Sequence, residues 1–306
     1  WWGKIDKPDA IKLLQQAQEL GINFFDTADT YGQGFGEEIL REALGNKRQE
    51  VIIGTKFGYD LDAPREGHKE RPQNWNPDFI RKACESSLRR LGSDYIDLYQ
   101  LHNPRIDTVM DEAVFDTLDS LVKEGKVRHT GIALGPDIGW VEEGEAAIQE
   151  RYISSLQIIY SIIEQQPARQ FFEIDKGYKT GLLARVPHAS EILTDAFANQ
   201  SKITFDANDH RAHRKQEWLD KAFKKREKVL FISQGTNRTL AQAAIQFVLA
   251  EEKIASVLPN IVTHEQLMEF SAATEVPPLH KEELNELSRI YDEEFQELEE
   301  IQPQRT

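Results

Sequence analysis

The sequence predicts an α/β fold, a parallel sheet wrapped by crossover helices in the manner of a (β/α) barrel. Three observations predict it. Short runs rich in β-branched and aromatic residues alternate with longer runs of helical period. Each short run is continuously apolar, as strands covered on both faces must be. No linker interrupts the alternation along 306 residues, so one barrel domain over residues 1–306 is the expected organisation.

The elements follow in order. Residues 7–20 read as a helix stopped by Gly21, and residues 22–26 and 51–56 as the first two strands. Asn76-Pro77 opens the next long helix and Gly92 follows its last turn, with Phe79, Ile80, Ala83, Leu88 and Leu91 on one apolar face. Further strands are expected at 96–102, 127–132, 155–161, 182–185 and 254–258, with Gly125 ending the helix between the first two of these. The count is seven where a closed barrel needs eight, and it falls short at the front, where the chain opens directly on a helix pattern. A first strand before Trp1 is the expectation. Residues 190–214, rich in Asp, Asn and Ser, read as a lid or binding loop. Residues 215–228 read as a basic helix with a solvated face, and Leu284, Leu287, Tyr291 and Leu298 space an acidic helix packed on the barrel exterior.

Composition narrows the function classes. A formal net charge of -15 repels polyanions, and no Lys/Arg run interleaved with aromatics offsets it, which argues against a nucleic-acid partner. No apolar stretch approaches the length that spans a bilayer, and residues 1–9 lack the apolar core of a signal peptide. The single Cys84 excludes an internal disulfide framework. A cytoplasmic protein that does not engage membranes is the expectation. Cys84 falls inside a helical pattern, so it reads as a packed thiol rather than a nucleophile.

Reactive groups of barrel enzymes gather at the C-terminal ends of the strands. Asp26 closes the first strand, Tyr31 follows in the loop, Lys56 closes the second strand and His102 the third. Adjacent parallel strands bring such ends together. In one pocket, an ammonium at Lys56 favours the phenolate of Tyr31, and Asp26 keeps that ammonium charged through a buried ion pair. His102 is placed to hydrogen-bond a substrate carbonyl. Taken singly, each residue has an ordinary structural reading: a cap, a packed phenol, a satisfied core imidazole. Four of them on three consecutive strands of one barrel face make a proton-delivering set for carbonyl reduction. Tyr59, Trp75 and Trp140 on the loops read either as an aromatic pocket lining or as loop packing.

These residues lie in segments that resemble a known family. Residues 21–32, Gly-Ile-Asn-Phe-Phe-Asp-Thr-Ala-Asp-Thr-Tyr-Gly, followed by Gly36-Glu37, are similar to the first signature of aldo-keto reductases. Arg90-Leu91-Gly92 with Asp94, Tyr95, Ile96, Asp97, Leu98, Tyr99 and His102 resembles the second. The resemblance implies a TIM (β/α)8 barrel, a nicotinamide cofactor bound without a Rossmann domain, and a catalytic tetrad of Asp26, Tyr31, Lys56 and His102. It also implies a family first strand missing from this chain.

For the cofactor, the resemblance implies Gln157 as the contact to the nicotinamide carboxamide. Two departures stand beside it. The Ser-Asn pair that usually ends the fifth family strand is Ala133-Leu134 here, and Arg185 takes the place of an aromatic residue that commonly stacks on the nicotinamide. A guanidinium stacks too, so binding is altered rather than excluded. The diphosphate and adenosine are expected near Pro259 and Asn260 and the helix beginning near Thr263, with His264 and Gln266 as further contacts. NADPH is the first expectation from family habit, and NADH the alternative, because the base that clasps a 2'-phosphate is replaced by Val262 and His264. Gly32-Gln33-Gly34-Phe35-Gly36 is not the dinucleotide fingerprint, since its third glycine falls one residue early.

The expected activity is reduction of a small-molecule aldehyde or ketone to an alcohol. Two other classes stay open: a cofactor-binding regulatory subunit like the potassium-channel β subunits, and a Schiff-base aldolase using Lys56. A metal hydrolase is weaker, because no His-x-His or comparable ligand cluster occurs in the sequence.

Overall fold

In the computed structural model, which describes residues 5–64, 71–135, 140–174, 177, 179–197 and 216–295, the strands pair in the order in which the chain makes them. They are β1 (Phe24–Asp26), β2 (Ile52–Phe57), β3 (Ile96–His102), β4 (Val127–Ala133), β5 (Ser155–Ile159), β6 (Gly181–Arg185) and β7 (Ile254–Leu258). All six neighbouring pairs are parallel, and β1 and β7 form the outer edges. The result is a nearly closed (β/α) barrel of seven strands, short by the one strand that the count above finds missing.

Helices wrap the sheet: α1 (Lys7–Glu19), α2 (Phe35–Leu44), α3 (Pro77–Leu91), α4 (Ile106–Val109), α5 (Glu112–Lys123), α6 (Val141–Glu150), α7 (Ala168–Ile174), α8 (Gln216–Val229), α9 (Leu240–Leu249), α10 (His264–Ser271) and α11 (Lys281–Ile290). Their ends obey the local rules. The Asn76 side chain accepts from the Asp78 amide at 3.0 Å and Pro77 stands at the first helical position of α3, where its missing N–H costs nothing. Thr239 and Gln242 exchange hydrogen bonds as a capping box at the start of α9.

Two strand bounds differ from expectation by more than one residue, for local reasons. Gly21 and Ile22 still donate their amides to Gln18 and Ala17 at 3.0 Å, which ties them to the end of α1 and lets pairing begin only at Phe24. Ser161 turns to pair with Glu164 at 2.9 Å, so β5 stops at Ile159.

The basic helix α8 requires a larger correction. Its Lys225 and Arg226 are buried with Leu219, Ala222 and Val229, and Lys225 Nζ donates to the Ile163 carbonyl at 3.1 Å. Positions 222, 225, 226 and 229 share one face at helical spacing, so the apolar stripe carries two cations inward with it. Charge count says nothing about facing. Helix α11 packs on the barrel exterior as expected: Leu287 and Tyr291 are buried, and Tyr291 Oη accepts from the Gln165 amide at 3.3 Å. Residues 198–214 of the expected lid, together with Leu298, lie outside the described residues. Cys84 is fully buried on α3, and burial pushes its thiol up to about 12, which makes it a packing group.

Candidate active site

Parallel register decides which strand-end groups meet. Asp26 pairs with Gly54, and Lys56 with Gln100, so Asp26 and Lys56 lie two positions apart in β2 register on the same inward face. Lys56 is 1% exposed. A buried ammonium needs acceptors, and Nζ has two, Asp26 Oδ2 at 2.5 Å and the Thr27 carbonyl at 2.7 Å.

Tyr31 follows on a pinned loop. The Asp29 amide donates to the Lys56 carbonyl at 3.1 Å, the Tyr31 amide to Ala28 and the Gly36 amide to Tyr31, both at 3.1 Å. Lys56 Nζ consequently stands 5.2 Å from the centre of the Tyr31 ring, and that ring meets His102 edge to face at 6.1 Å. All four residues singled out in the sequence come together at one barrel mouth.

His102 is held from the side as well. Tyr59 packs edge-on against its ring at 5.2 Å, and Asn103 Nδ2 donates to Tyr59 Oη at 2.9 Å. Gln73 Nε2 donates to the carbonyls of His102 and Asn103 at 2.9 and 3.0 Å, tying the loop after β2 to the end of β3. His102 Nδ1 is buried with no hydrogen-bond partner. Burial, then the charges of Lys56 and Arg185, hold the imidazole well below its ordinary range. It is therefore neutral, with one N–H to offer. Of the loop aromatics, Tyr59 joins the site, Trp75 packs edge-on against Phe57 at 5.8 Å, and Trp140 lies under the Arg105 guanidinium at 4.3 Å.

A second buried set lies behind Tyr31. Glu37 accepts from Thr55 Oγ1 at 2.6 Å and from Arg90 Nε at 2.5 Å. Gly34 permits that approach: at φ 95° it starts α2, and a Cβ there would stand 2.3 Å from the Arg90 side chain. Asp29, 2% exposed, has its carboxyl pushed up to about 8, chiefly by burial and next by Glu37, against Arg90. Residues of both signatures meet here, although the sequence reading assigned them no role.

The cofactor candidates divide. Gln157 on β5 donates Nε2 to Asp26 Oδ1 at 2.9 Å, which puts it in the tetrad's own pocket. Gln100, not singled out in the sequence, donates to the same oxygen at 3.1 Å. Its signal was available: an amide in an apolar strand two residues before His102 shares its face. Arg185 Nη2 donates to the carbonyls of Leu134 and Gly135 at 2.8 and 2.6 Å, so the two departures from family pattern touch each other. Beyond Arg185, Val186, Pro187, His188, Ser190, Glu191 and Asn260 line a small recess open to solvent. Pro259 precedes it, half-buried, after β7. Gln266 accepts from the Val262 amide at 2.9 Å and reaches Glu191 Oε1 at 3.5 Å, joining α10 to that wall. His264 is exposed and engages Gln16 of α1 at 3.2 Å instead.

Comparison with known proteins shows the family. The profile of the aldo/keto reductase family matches residues 1–292. The chain belongs to the aldo/keto reductase family. An uncharacterized oxidoreductase of Bacillus subtilis (strain 168) is 31% identical over 285 residues, 92% of this chain and 87% of the relative. The holo form of an aldo-keto reductase from Bacillus halodurans superposes with a TM-score of 0.76 at 28% identity, over 94% of this chain and 88% of that one. A probable voltage-gated potassium channel β subunit of Oryza sativa subsp. japonica is 25% identical over 293 residues, 90% of this chain and 85% of the relative. Among the described residues no helix is long and apolar enough to cross a membrane.

Proposed function

We propose that this aldo/keto reductase reduces a small aldehyde or ketone, with Tyr31 delivering the proton and a reduced nicotinamide dinucleotide the hydride. The observation that carries the reading is the buried Lys56–Asp26 pair standing against the Tyr31 ring, with a neutral His102 beside it. The remaining N–H of His102 holds the carbonyl oxygen and polarises it. As charge builds on that oxygen, the Tyr31 hydroxyl passes its proton to it, and the fixed ammonium of Lys56 stabilises the phenolate left behind. Asp26 keeps the ammonium in place throughout.

When bound, the dinucleotide supplies the hydride that arrives at the carbonyl carbon. The residues present fit such a ligand in parts: Gln157 and Arg185 beside the tetrad for the nicotinamide, and the open recess by Asn260 with Pro259, Gln266 and the start of α10 at His264 along which the diphosphate and ribose would lie. The described residues lining that recess include no Lys or Arg, while Glu191 adds a carboxylate. NADPH is then accepted with only modest preference over NADH. The aldolase reading is set aside, since Lys56 is committed as a donor to Asp26 and Thr27. A regulatory subunit remains a second reading, favoured by the channel-subunit relative.

Consumption of reduced nicotinamide across a panel of aldehydes and ketones tests the proposal. Turnover is expected in the wild type, with a loss on the order of 10³-fold in Tyr31→Phe and nearly intact cofactor affinity. A Tyr31→Phe protein that keeps most of the rate refutes the assigned role. Tight cofactor binding without turnover on any carbonyl favours the regulatory reading.

A further inference from the structure

We propose that Gln100 is a positioning residue for this reaction, holding the Asp26 carboxylate so that one oxygen is reserved for Lys56. The inference deepens the reductase reading and rests on it. Asp26 ends the three-residue strand β1, which pairs with β2. Backbone pairing does not set the direction in which its carboxylate points. Instead the two oxygens are divided. Oδ2 takes Lys56 Nζ, and Oδ1 takes two amide donors, Gln100 Nε2 from β3 and Gln157 Nε2 from β5. A carboxylate with all three donors in place cannot turn to offer Lys56 a poorer angle.

Two glycines stand beside Gln100. Gly131 is its register partner on β4, and Gly54 lies two positions from its β2 partner Lys56. A Cβ on Gly54 would stand 3.1 Å from Phe24 Cε2 and in ordinary contact, 3.5 Å, with Asp26 Oδ1 and Gln100 Nε2. On Gly131 it would press Gln100 Cγ at 3.3 Å and Ser155 Oγ at 2.4 Å. Gln100 is fully buried, and its Oε1 has no hydrogen-bond partner. An amide serving only as filler would be replaced at less cost by Leu or Met, since an orphaned buried acceptor is unfavourable. The donor half directed at Asp26 accounts for its presence. Gln157 shares the acceptor but also flanks the cofactor site; Gln100 is dedicated to Asp26.

Two near-isosteric substitutions test this. Gln100→Met removes the donor and keeps the volume; kcat for carbonyl reduction is expected to fall roughly tenfold, the loss of one hydrogen bond to a charged group, with cofactor KM changed less than twofold. Gln100→Glu sets a carboxylate against Asp26 and is expected to be worse than Gln100→Met at pH 8, then to recover as pH falls and the new carboxyl regains a proton to donate. In the protein without cofactor, the Asp26 13Cγ resonance is expected to move between wild type and Gln100→Met. An unmoved resonance overturns the proposal whatever the turnover. So does unchanged kcat in Gln100→Met, or a Gln100→Glu pH profile parallel to the wild type; the latter comparison decides the matter if Gln100→Met does not fold. A wild-type protein with no carbonyl turnover overturns the reductase reading first, and this proposal with it.

Discussion

Arg185 donates from one nitrogen, Nη2, to two carbonyl oxygens at the end of β4, Leu134 at 2.8 Å and Gly135 at 2.6 Å. The guanidinium thus spans the ends of β4 and β6 and stands where Ala133 and Leu134 offer no polar side chain. The guanidinium is planar and anchored through Nη2, so the flat ring of the proposed cofactor would stack against it. Arg185→Ala is expected to weaken binding of the reduced cofactor by about tenfold with little change in thermal stability. Fluorescence titration checks it, and an affinity within twofold of wild type contradicts it.

The Lys56–Asp26 pair is buried, so removing one partner strands the other. Lys56→Met is expected to cost about 3 kcal/mol of stability, because Asp26 retains only its two amide donors. Adding Asp26→Asn removes the stranded charge, and the double variant should be more stable than the sum of the single losses by about 2 kcal/mol. Urea denaturation of the four proteins measures that coupling; additive losses count against a direct pair.

Asp29 gives the stability a slope in the alkaline direction. Its folded carboxyl sits at about 8 against an ordinary value of 3.8, so it resists ionisation. The stability it contributes is fully present below the unfolded value and is lost as pH rises toward and through the folded one. Asp29→Asn should therefore exceed the wild type in stability at pH 9 and not at pH 4. Equal slopes in the two proteins would rule this out.

His188 acts in the opposite direction. It is buried against Phe270 at a ring distance of 4.3 Å, with Nε2 3.2 Å from the Ala241 carbonyl, and burial lowers it from 6.5 to about 4. A depressed histidine stabilises the fold above its unfolded value, and that stability disappears as pH falls from 6.5 through 4. The loss amounts to about 3 kcal/mol at 1.36 kcal/mol per unit. His188→Gln should flatten that acid-side decline, as unfolding at pH 7 and pH 4 would reveal.

Much of the site was legible because its members end strands. Asp26, Lys56 and His102 each close an apolar run, and Tyr31 follows five residues after the first. Parallel pairing in chain order then leaves little freedom in where they meet. Gln100 went unassigned although it shares a face with His102 two residues on, because that spacing does not name its acceptor. The buried Lys225 and Arg226 escaped for a related reason: helical period gives a face, but only packing says which side of a mixed face turns inward.

By itself the sequence determined the seven alternating strand and helix units, the strand ends that carry the reactive groups and the membership in this family, since these depend on local periodicity and fixed spacing. The tertiary structure alone decided that three donors from three strands converge on Asp26, that Arg185 reaches the carbonyls of Leu134 and Gly135, and that His264 faces Gln16. Those contacts join residues up to 248 positions apart. Register and side-chain reach across the barrel mouth set them, and neither is written in the local pattern of any one strand.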